Sequence, residues 1–284
     1  MTAHPEFELH AGALRLALRP DLGGSIAGLW HRESPILRST EPTSLASARL
    51  SACYPLLPYS NRLGFRHFRW KGAEYTTQPN FEGSAHSVHG VGWLRPWEIV
   101  SSNTVEVVLR YRHEPDGDWP FAFEASQYFT LSPSAMSVQM VFTNKADVAQ
   151  PVGLGWHPYF ARRQRSRLHI DLSERWDSDV TQLPIRKVAQ PGIDSDVVHL
   201  DFDNCFEGWR GPARIRDEKF SLQLTSSLRY LVVFTPQDRE YFCVEPVSHV
   251  SNAIHMADPA AHGLRTLEAG ESMDCAMKLE VSVV

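Results

Sequence analysis

Two histidine- and glutamate-containing stretches of this 284-residue chain have side chains suited to proton transfer. The first holds His157, which is followed by Pro158 within a run of glycine and aromatic residues. Because proline favours an extended backbone at the residue before it, we expect the imidazole to project from a strand end. Histidine is the side chain most readily tuned to exchange a proton near neutral pH. The alternative is a structural histidine whose hydrogen bonds are satisfied inside an aromatic cluster.

The second stretch is Tyr-Phe-Cys-Val-Glu, which places Glu245 after a mostly apolar run. A carboxylate there is costly to bury unless it has partners or a function, which makes Glu245 a candidate base. A structural salt bridge is the alternative. His249 follows four residues later, but Pro246 argues against a helix that would bring the two side chains together.

Two other stretches have side chains that could bind hydroxyl groups. Arg62 follows Asn61, and its planar guanidinium can donate to hydroxyl or carboxylate oxygens, although pairing with a surface acid would also explain it. His89 is followed by glycines and by Trp93. Such a loop suits a sugar, because an aromatic face packs on the apolar face of a pyranose while polar side chains bind its hydroxyls.

Metal binding is not predicted. His86 and His89 have the His-x-x-His spacing, but their stretch is rich in glycine, lacks a helical pattern and has no third ligand nearby. We therefore expect no metal and no organic cofactor. The four cysteines form no Cys-x-x-Cys pair and are predicted to be reduced core residues. Asp203 stands in a turn-like stretch, where an acid usually forms a turn or cap.

The elements that must position these residues are predicted to be strands. Apolar residues alternate with other residues over 105–111, 136–142 and 273–283, the pattern of antiparallel strands with one face on a core. Only residues 44–50 look helical. Shorter strands are predicted at 14–18, 25–30, 121–131, 168–172, 222–225, 231–235 and 241–245. Many short strands separated by turns predict an all-β sandwich or barrel-like fold, with residues 1–284 as a single domain.

The overall composition argues against several classes of protein. A net charge of −5 gives no electrostatic reason to bind nucleic acid or an anionic membrane. No apolar segment approaches the roughly 20 residues that cross a bilayer, and residues 1–10 lack the pattern of a secretory signal. We therefore expect a cytoplasmic protein, either a monomer or a homodimer, whose partner is a small molecule.

Taken together, these stretches resemble the aldose 1-epimerase (galactose mutarotase) family. The similarity extends from about residue 14 to the end of the chain, and the matching pieces occur in the family's order. They are Asn61-Arg62, His89-Gly90 with Trp93 and Trp97, His157-Pro158-Tyr159-Phe160, and Val244-Glu245 followed by Asn252-Ala253. The resemblance implies a large antiparallel β-sandwich, galactose mutarotase-like, whose concave face binds an aldose.

The resemblance also implies a role for each of these residues. His157 is expected to be the general acid and Glu245 the general base. The residues expected to bind the sugar are Arg62, His89, Asp203, Asn61 and Trp93. The implied reaction is that of an isomerase in carbohydrate metabolism, which interconverts α and β anomers by ring opening, rotation about the C1–C2 bond and reclosure, without a cofactor. Val91 stands where the family often has a second glycine, a departure that bears on the substrate.

Three alternatives remain open at this point. A non-catalytic sugar-binding or sensing protein could use the same fold. A glycosidase would need a second carboxylate, which Asp203 could provide. An anomerase acting on a hexose 6-phosphate would need a phosphate clamp, and a cluster of basic residues after His157 could supply one. The cluster consists of Arg162, Arg163, Arg165 and Arg167, for which a solvated loop is the other explanation.

Overall fold

The computed structural model of the protein describes residues 7–284. The prediction that no secretory signal is present concerned residues 1–10. Residues 1–6 of that segment lie outside the described residues. In chain order, the first strands are β1 (Phe7–Ala11), β2 (Leu14–Arg19), β3 (Ser25–His31), β4 (Ser34–Pro35), β5 (Pro55–Leu56), β6 (Arg62–Leu63), β7 (His67–Trp70), β8 (Ala73–Thr76), β9 (Ser87–Val88), β10 (Glu98–Ser102), β11 (Glu106–His113), β12 (Phe123–Ser132) and β13 (Ala135–Asn144).

The remaining strands include the ones that carry the proton-transfer candidates. They are β14 (Gln150–Val152), β15 (Gly155–Trp156), β16 (Tyr159–Ala161), β17 (Arg167–Asp171), β18 (Glu174–Ser178), β19 (Pro184–Ala189), β20 (Ile193–Asp196), β21 (Asp203–Glu207), β22 (Arg210–Arg216), β23 (Phe220–Ser226), β24 (Tyr230–Phe234), β25 (Tyr241–Val247), β26 (Arg265–Leu267) and β27 (Ser272–Val283).

Two large sheets dominate the fold. A nine-stranded sheet has the order β10-β11-β12-β13-β27-β23-β22-β17-β20. Its central pairing aligns Met140 with Cys275 and Val138 with Met277, so that the alternating apolar residues of β13 and β27 share one buried face. This arrangement confirms the strands predicted from alternation at 136–142 and 273–283.

The second sheet has eight strands in the order β19-β18-β21-β24-β25-β15-β5, with β16 also paired to β25. Alternate residues of β25 face different clusters. Phe242 and Val244 belong to the main hydrophobic core, whereas Cys243 packs with a second cluster that includes Tyr54 and Tyr159. The sheets are antiparallel and form the predicted β-sandwich, with a four-stranded sheet, β1-β2-β3-β4, added at the amino-terminal side.

The helical prediction for residues 44–50 is only partly right. Within residues 7–284 the structure has no α-helix, and this stretch contains the end of one 3-10 helix and the whole of another. The 3-10 helices are Pro42–Ser44, Ala48–Leu50, Gly64–Arg66, Gly92–Leu94, Val197–His199 and Ala253–His255. In the described part of the chain, no helix has the length and apolar character needed to cross a membrane.

Candidate active site

A cavity of about 920 Å³ opens on the eight-stranded sheet, beside the second hydrophobic cluster, which contains Cys243, Tyr54 and Tyr159. Six of the seven predicted site residues line it, although they come from distant parts of the sequence. The six are Asn61, Arg62, His89, His157, Asp203 and Glu245. The topology therefore brings together nearly all of the residues that sequence reasoning selected.

His157 lies in the two-residue break between β15 and β16, as expected from the proline that follows it. Its backbone N–H donates to the carbonyl of Tyr54 (3.0 Å), which ties the break to a neighbouring segment. The ring stacks on Tyr159 at a centroid distance of 4.3 Å and lies 4.9 Å from that of Tyr54. These contacts fix the imidazole at the cavity wall, where it is 7% exposed.

Glu245 is placed by the period-two geometry of β25. It pairs with Val232 of β24, and its side chain shares one face of the strand with Cys243. That face is the cavity side, so Glu245 lines the cavity although its side chain is only 3% exposed. A carboxyl group in such a place is explained by function more readily than by stability.

The two candidates for proton transfer are in contact. His157 Nε2 lies 3.3 Å from Glu245 Oε1. Burial lowers the pKa of His157 well below its ordinary value, and the nearby His89 and Arg38 lower it further. Burial raises the pKa of Glu245 well above its ordinary value, and the charge of Asp203 adds to the effect. Both shifts favour a pair that carries a single proton in total and no net charge.

The remaining polar atoms of this pair are unusual. His157 Nδ1 and Glu245 Oε2 are buried without a hydrogen-bond partner among the described residues. Such atoms cost free energy and are uncommon in folded proteins. The Tyr159 hydroxyl lies 3.4 Å from His157 Nε2, the atom that also contacts Glu245, and 3.2 Å from the hydroxyl of Tyr54. The contact of these two tyrosines with the pair was not predicted from the sequence, in which tyrosines are common in core positions.

Asn61 holds Arg62 in position. Its backbone is left-handed (φ 56°), a conformation that Asn adopts more readily than most residues. Its side-chain oxygen accepts from the backbone N–H of Arg62 (2.9 Å), from Arg62 Nη1 (2.9 Å) and from the hydroxyl of Ser251 (3.1 Å). Arg62 Nη2 also donates to Gln182 and lies 3.6 Å from Asp203 Oδ2. The guanidinium is thus oriented from several sides.

His89 is held by Asn61 through two backbone contacts. The N–H of His89 donates to the carbonyl of Asn61 (2.8 Å), and the N–H of Asn61 donates to His89 Nδ1 (3.1 Å). Burial, aided by the charge of Arg62, lowers the pKa of His89 to about 3, so the ring is neutral near pH 7. Since Nδ1 accepts, the hydrogen of the neutral ring lies on Nε2 and can be donated to a ligand.

Trp93 does not line the cavity. It is 4% exposed, and its ring packs against that of Tyr54 at a centroid distance of 5.4 Å. Its indole N–H donates to the carbonyl of Val88 (3.3 Å). The structure therefore places Trp93 behind the cavity wall, where it supports Tyr54. Stacking of this ring on a sugar, as expected from the sequence, does not fit that placement.

The arginine cluster after His157 does not form the phosphate clamp that was left open as an alternative, because none of its four arginines lines the cavity. Arg163 forms a largely buried ion pair with Asp217, and Arg167 is paired with Asp194 and Asp196 on the surface. These arginines serve local structure. The arginines that do line the cavity besides Arg62 are Arg38, Arg49 and Arg239. Each is isolated in the sequence, so no motif pointed to them.

One set of side chains could approach a metal ion. Among the described residues, His157, Cys243 and Glu245 have donor atoms within 4.8 Å of one another. Burial raises the pKa of the Cys243 thiol and of Glu245, which disfavours the deprotonated forms that bind metals. The His-x-x-His pair is not part of this set: Nδ1 of His86 accepts from the backbone N–H of Phe65.

Comparison with known proteins identifies the family of this chain. A family model described as aldose 1-epimerase matches residues 5–280. The uncharacterized protein YphB of Escherichia coli (strain K12) is 32% identical over 297 residues, covering 97% of this chain and 98% of that protein. A second uncharacterized protein of the same organism, YihR, is 27% identical over 260 residues, covering 82% and 81% of the two chains.

Solved structures show the same relationship. The crystal structure of a proposed aldose 1-epimerase from Escherichia coli K12 superposes with a TM-score of 0.89 at 30% identity, covering 98% of this chain and 99% of that one. A galactose mutarotase-like protein from Clostridium acetobutylicum has the same fold, with a TM-score of 0.85 at 19% identity and coverage of 98% and 95%. Since the family model spans nearly the whole chain, this protein belongs to the aldose 1-epimerase family.

Proposed function

We propose that this protein is an isomerase that interconverts the α and β anomers of an aldose by proton transfer at His157 and Glu245. The observation that carries the proposal is the contact between these two side chains, which lie 3.3 Å apart and are buried in the wall of a large cavity. The reaction needs one donor and one acceptor at two oxygens bonded to the same carbon. A pair that holds one proton supplies both.

The proposed reaction has two balanced proton transfers. Glu245 removes the proton of the anomeric hydroxyl while His157 gives a proton to the ring oxygen, so the C1–O5 bond breaks and an open-chain aldehyde forms. The C1–C2 bond then rotates by half a turn. In closure, His157 takes the proton from the O5 hydroxyl as O5 attacks C1, and Glu245 returns a proton to the new anomeric oxygen. Both groups regain their starting states, and no redox partner is required.

The proton of the pair can start on either partner. The forms Glu⁻/HisH⁺ and GluH/His differ by one transfer across the 3.3 Å contact, and burial favours the second when no sugar is bound. Sugar hydroxyls that enter the site provide hydrogen bonds to the charged form. Moving the proton to His157 would then prepare the acid and the base for ring opening.

The remaining residues orient the sugar in this proposal. Arg62, oriented by Asn61 and Gln182, can donate to sugar hydroxyls, and His89 can donate from Nε2. Asp203, 3.6 Å from Arg62, can accept from a hydroxyl at the same wall. These groups fix the ring so that its anomeric carbon lies at the His157–Glu245 pair, which is where orientation contributes to rate.

Polarimetry tests the proposal directly. Freshly dissolved α-D-glucose and, separately, α-D-galactose are followed with and without the protein until the rotation is constant. We expect the rotation to reach the same final value faster with protein, because a catalyst changes the rate and not the equilibrium. Rotation that decays at the spontaneous rate with every aldose tested, including charged ones, would reject the proposal in favour of a non-catalytic sugar-binding protein.

A further inference from the structure

The four arginines that line the cavity fall into two pairs, one with neighbouring carboxylates and one without. Arg62 and Arg239 have carboxylate neighbours, Asp203 and Asp238. Arg38 lines the same cavity and has no carboxylate within 4.0 Å among residues 7–284, and the same is true of Arg49. Cations inside a cavity without a counter-ion attract an anionic ligand.

Arg38 is held rigidly and keeps one nitrogen free. Its Nε donates to the carbonyl of Ser51 (3.2 Å), and its Nη2 donates to the carbonyl of Arg49 (2.8 Å). The guanidinium lies over the ring of Tyr159, 3.6 Å from its centroid, and 4.7 Å from that of Tyr241. Within the described chain, Nη1 forms no hydrogen bond, so it remains available to a ligand in a pre-organised cation.

Arg49 belongs to the same part of the wall. Its backbone carbonyl accepts from Arg38, which ties the two residues together. Its guanidinium lies over the ring of Phe81, 4.0 Å from the centroid. Both cations therefore rest on aromatic faces, which support a positive charge without neutralising it and leave donor edges for an anion.

The position of Arg38 relative to His157 indicates which part of a sugar would meet it. The ring of Tyr159 stacks between them, in contact with Arg38 on its face and with His157 at 4.3 Å. In a pyranose, the ring oxygen is bonded to C5, and C5 carries C6. If His157 acts at the ring oxygen, a sugar whose C5 faces the Tyr159 side of the site directs its C6 substituent towards Arg38.

We propose that the cavity binds an aldose with an anionic group on C6, a phosphate or a carboxylate, and that Arg38 and Arg49 bind this group. The proposal rests on the proposed function, because it uses His157 at the ring oxygen to orient the sugar. It assigns anion binding to Arg38 and Arg49, which come before the predicted site residues in the sequence. It does not assign anion binding to the arginine cluster after His157.

The rate of exchange between the α and β anomers at equilibrium, followed by NMR through the signal of the anomeric proton, tests this proposal with one method for all sugars. The probes are glucose, glucose 6-phosphate and glucuronic acid, the last two separating phosphate from carboxylate. We expect kcat/KM to be at least about tenfold higher for one of the anionic sugars than for glucose. In Arg49→Gln, the ratio of anionic to neutral kcat/KM should fall about tenfold. The same charge change in Arg165→Gln, outside the cavity, should leave this ratio unchanged.

Equal kcat/KM for charged and neutral sugars in the wild-type protein would overturn the proposal, as would an Arg49→Gln variant with an unchanged ratio. Arg38→Lys, which keeps the charge but loses the fork, is a second variant in case larger changes at Arg38 prevent folding. If no sugar is turned over, the proposed function fails, and calorimetric titration decides the subsite separately. Binding of glucose 6-phosphate that is tighter than that of glucose and is weakened in Arg49→Gln supports it; equal binding rejects it.

Discussion

At the scale of single residues, the central feature is a buried acid–base pair whose protonation is set by its surroundings. Burial moves the pKa values of His157 and Glu245 in opposite directions. The two shifts widen the pH range over which the pair holds one proton. Since catalysis needs one proton donor and one acceptor, this range should coincide with the range of activity.

The pH dependence of kcat/KM for mutarotation, corrected for the spontaneous rate, should therefore show a broad plateau. On the acid side, a second proton must charge the buried His157, so the rate should fall only below the ordinary range of histidine. On the alkaline side, the last proton must leave the buried Glu245, so the rate should fall well above the ordinary range of a carboxylic acid. An acid limb at the ordinary pKa of histidine would contradict this account.

Both proton-transfer residues could be predicted from the sequence, because the signal for each lies in its neighbours along the chain. Pro158 restricts the backbone of His157, and an acid after an apolar run in β25 is conspicuous in any sequence. Arg38 could not be predicted, because its role depends on the ring of Tyr159, more than a hundred positions away. Trp93 was misjudged for a related reason: sequence shows that an aromatic ring is present but not which side of a wall it occupies.

At the scale of elements, the site depends on short connections between strands more than on the strands themselves. His157 lies between β15 and β16, and Asn61 immediately precedes β6. His89 and Gly90 follow β9, and both have positive φ angles, of 65° and 67°. The carbonyl of Leu57 accepts from the backbone N–H groups of Val91 and Gly92 in this connection. Tight backbone packing thus holds His89 at the cavity.

Gly90→Ala tests the importance of this connection. A Cβ at Gly90 would overlap the carbonyl of Leu57, which cannot move without breaking its hydrogen bonds. We expect a loss of about 2–4 kcal/mol in the free energy of unfolding by urea, from backbone strain and overpacking together. The rate of mutarotation should also fall, because His89 is displaced.

The matched control is Gly270→Ala, where φ is 79° and a Cβ would meet no atom within 4 Å. It shares the backbone strain but not the overlap, so its loss should be only about 1–2 kcal/mol, with mutarotation unchanged. Equal losses of stability and activity in the two variants would show that packing at Gly90 has no special role. The measurements are urea unfolding curves and mutarotation rates on the same preparations.

The strands were predictable where alternation is strong. The predictions at 105–111, 136–142 and 273–283 correspond to β11, β13 and β27 of the nine-stranded sheet, with β11 beginning one residue later than predicted. They succeed because a buried face and an open face impose a period of two. Short pieces such as β5, β15 and β16 were not predicted, since two or three residues carry no period. Residues 44–50 looked helical, yet only 3-10 turns form there, beside a proline at the first turn.

At the scale of the whole molecule, the sandwich brings distant segments to one cavity. Five residues that are spread over most of the chain line this cavity, namely Arg62, His89, His157, Asp203 and Glu245. Sequence alone could indicate that such residues belong together only through family resemblance, since no local pattern encodes a contact between His157 and Glu245. Membership of the aldose 1-epimerase family and the β-sandwich fold were both expected and are confirmed. Which sugar is bound depends on the side chains of the cavity wall, because proteins with one fold can carry different binding sites.

The most direct test of the whole account is the mutarotation rate of Glu245→Gln compared with that of the wild-type protein, on the aldose with the highest activity. Glutamine has nearly the same shape but cannot accept a proton as a carboxylate does. We expect kcat to fall by about 10²–10⁴-fold, with circular dichroism and thermal unfolding showing an intact fold. Glu240→Gln, an exposed neighbour on the same segment, should retain the wild-type rate. Near wild-type turnover by folded Glu245→Gln would contradict the account, because the pair would then not perform the proton transfers.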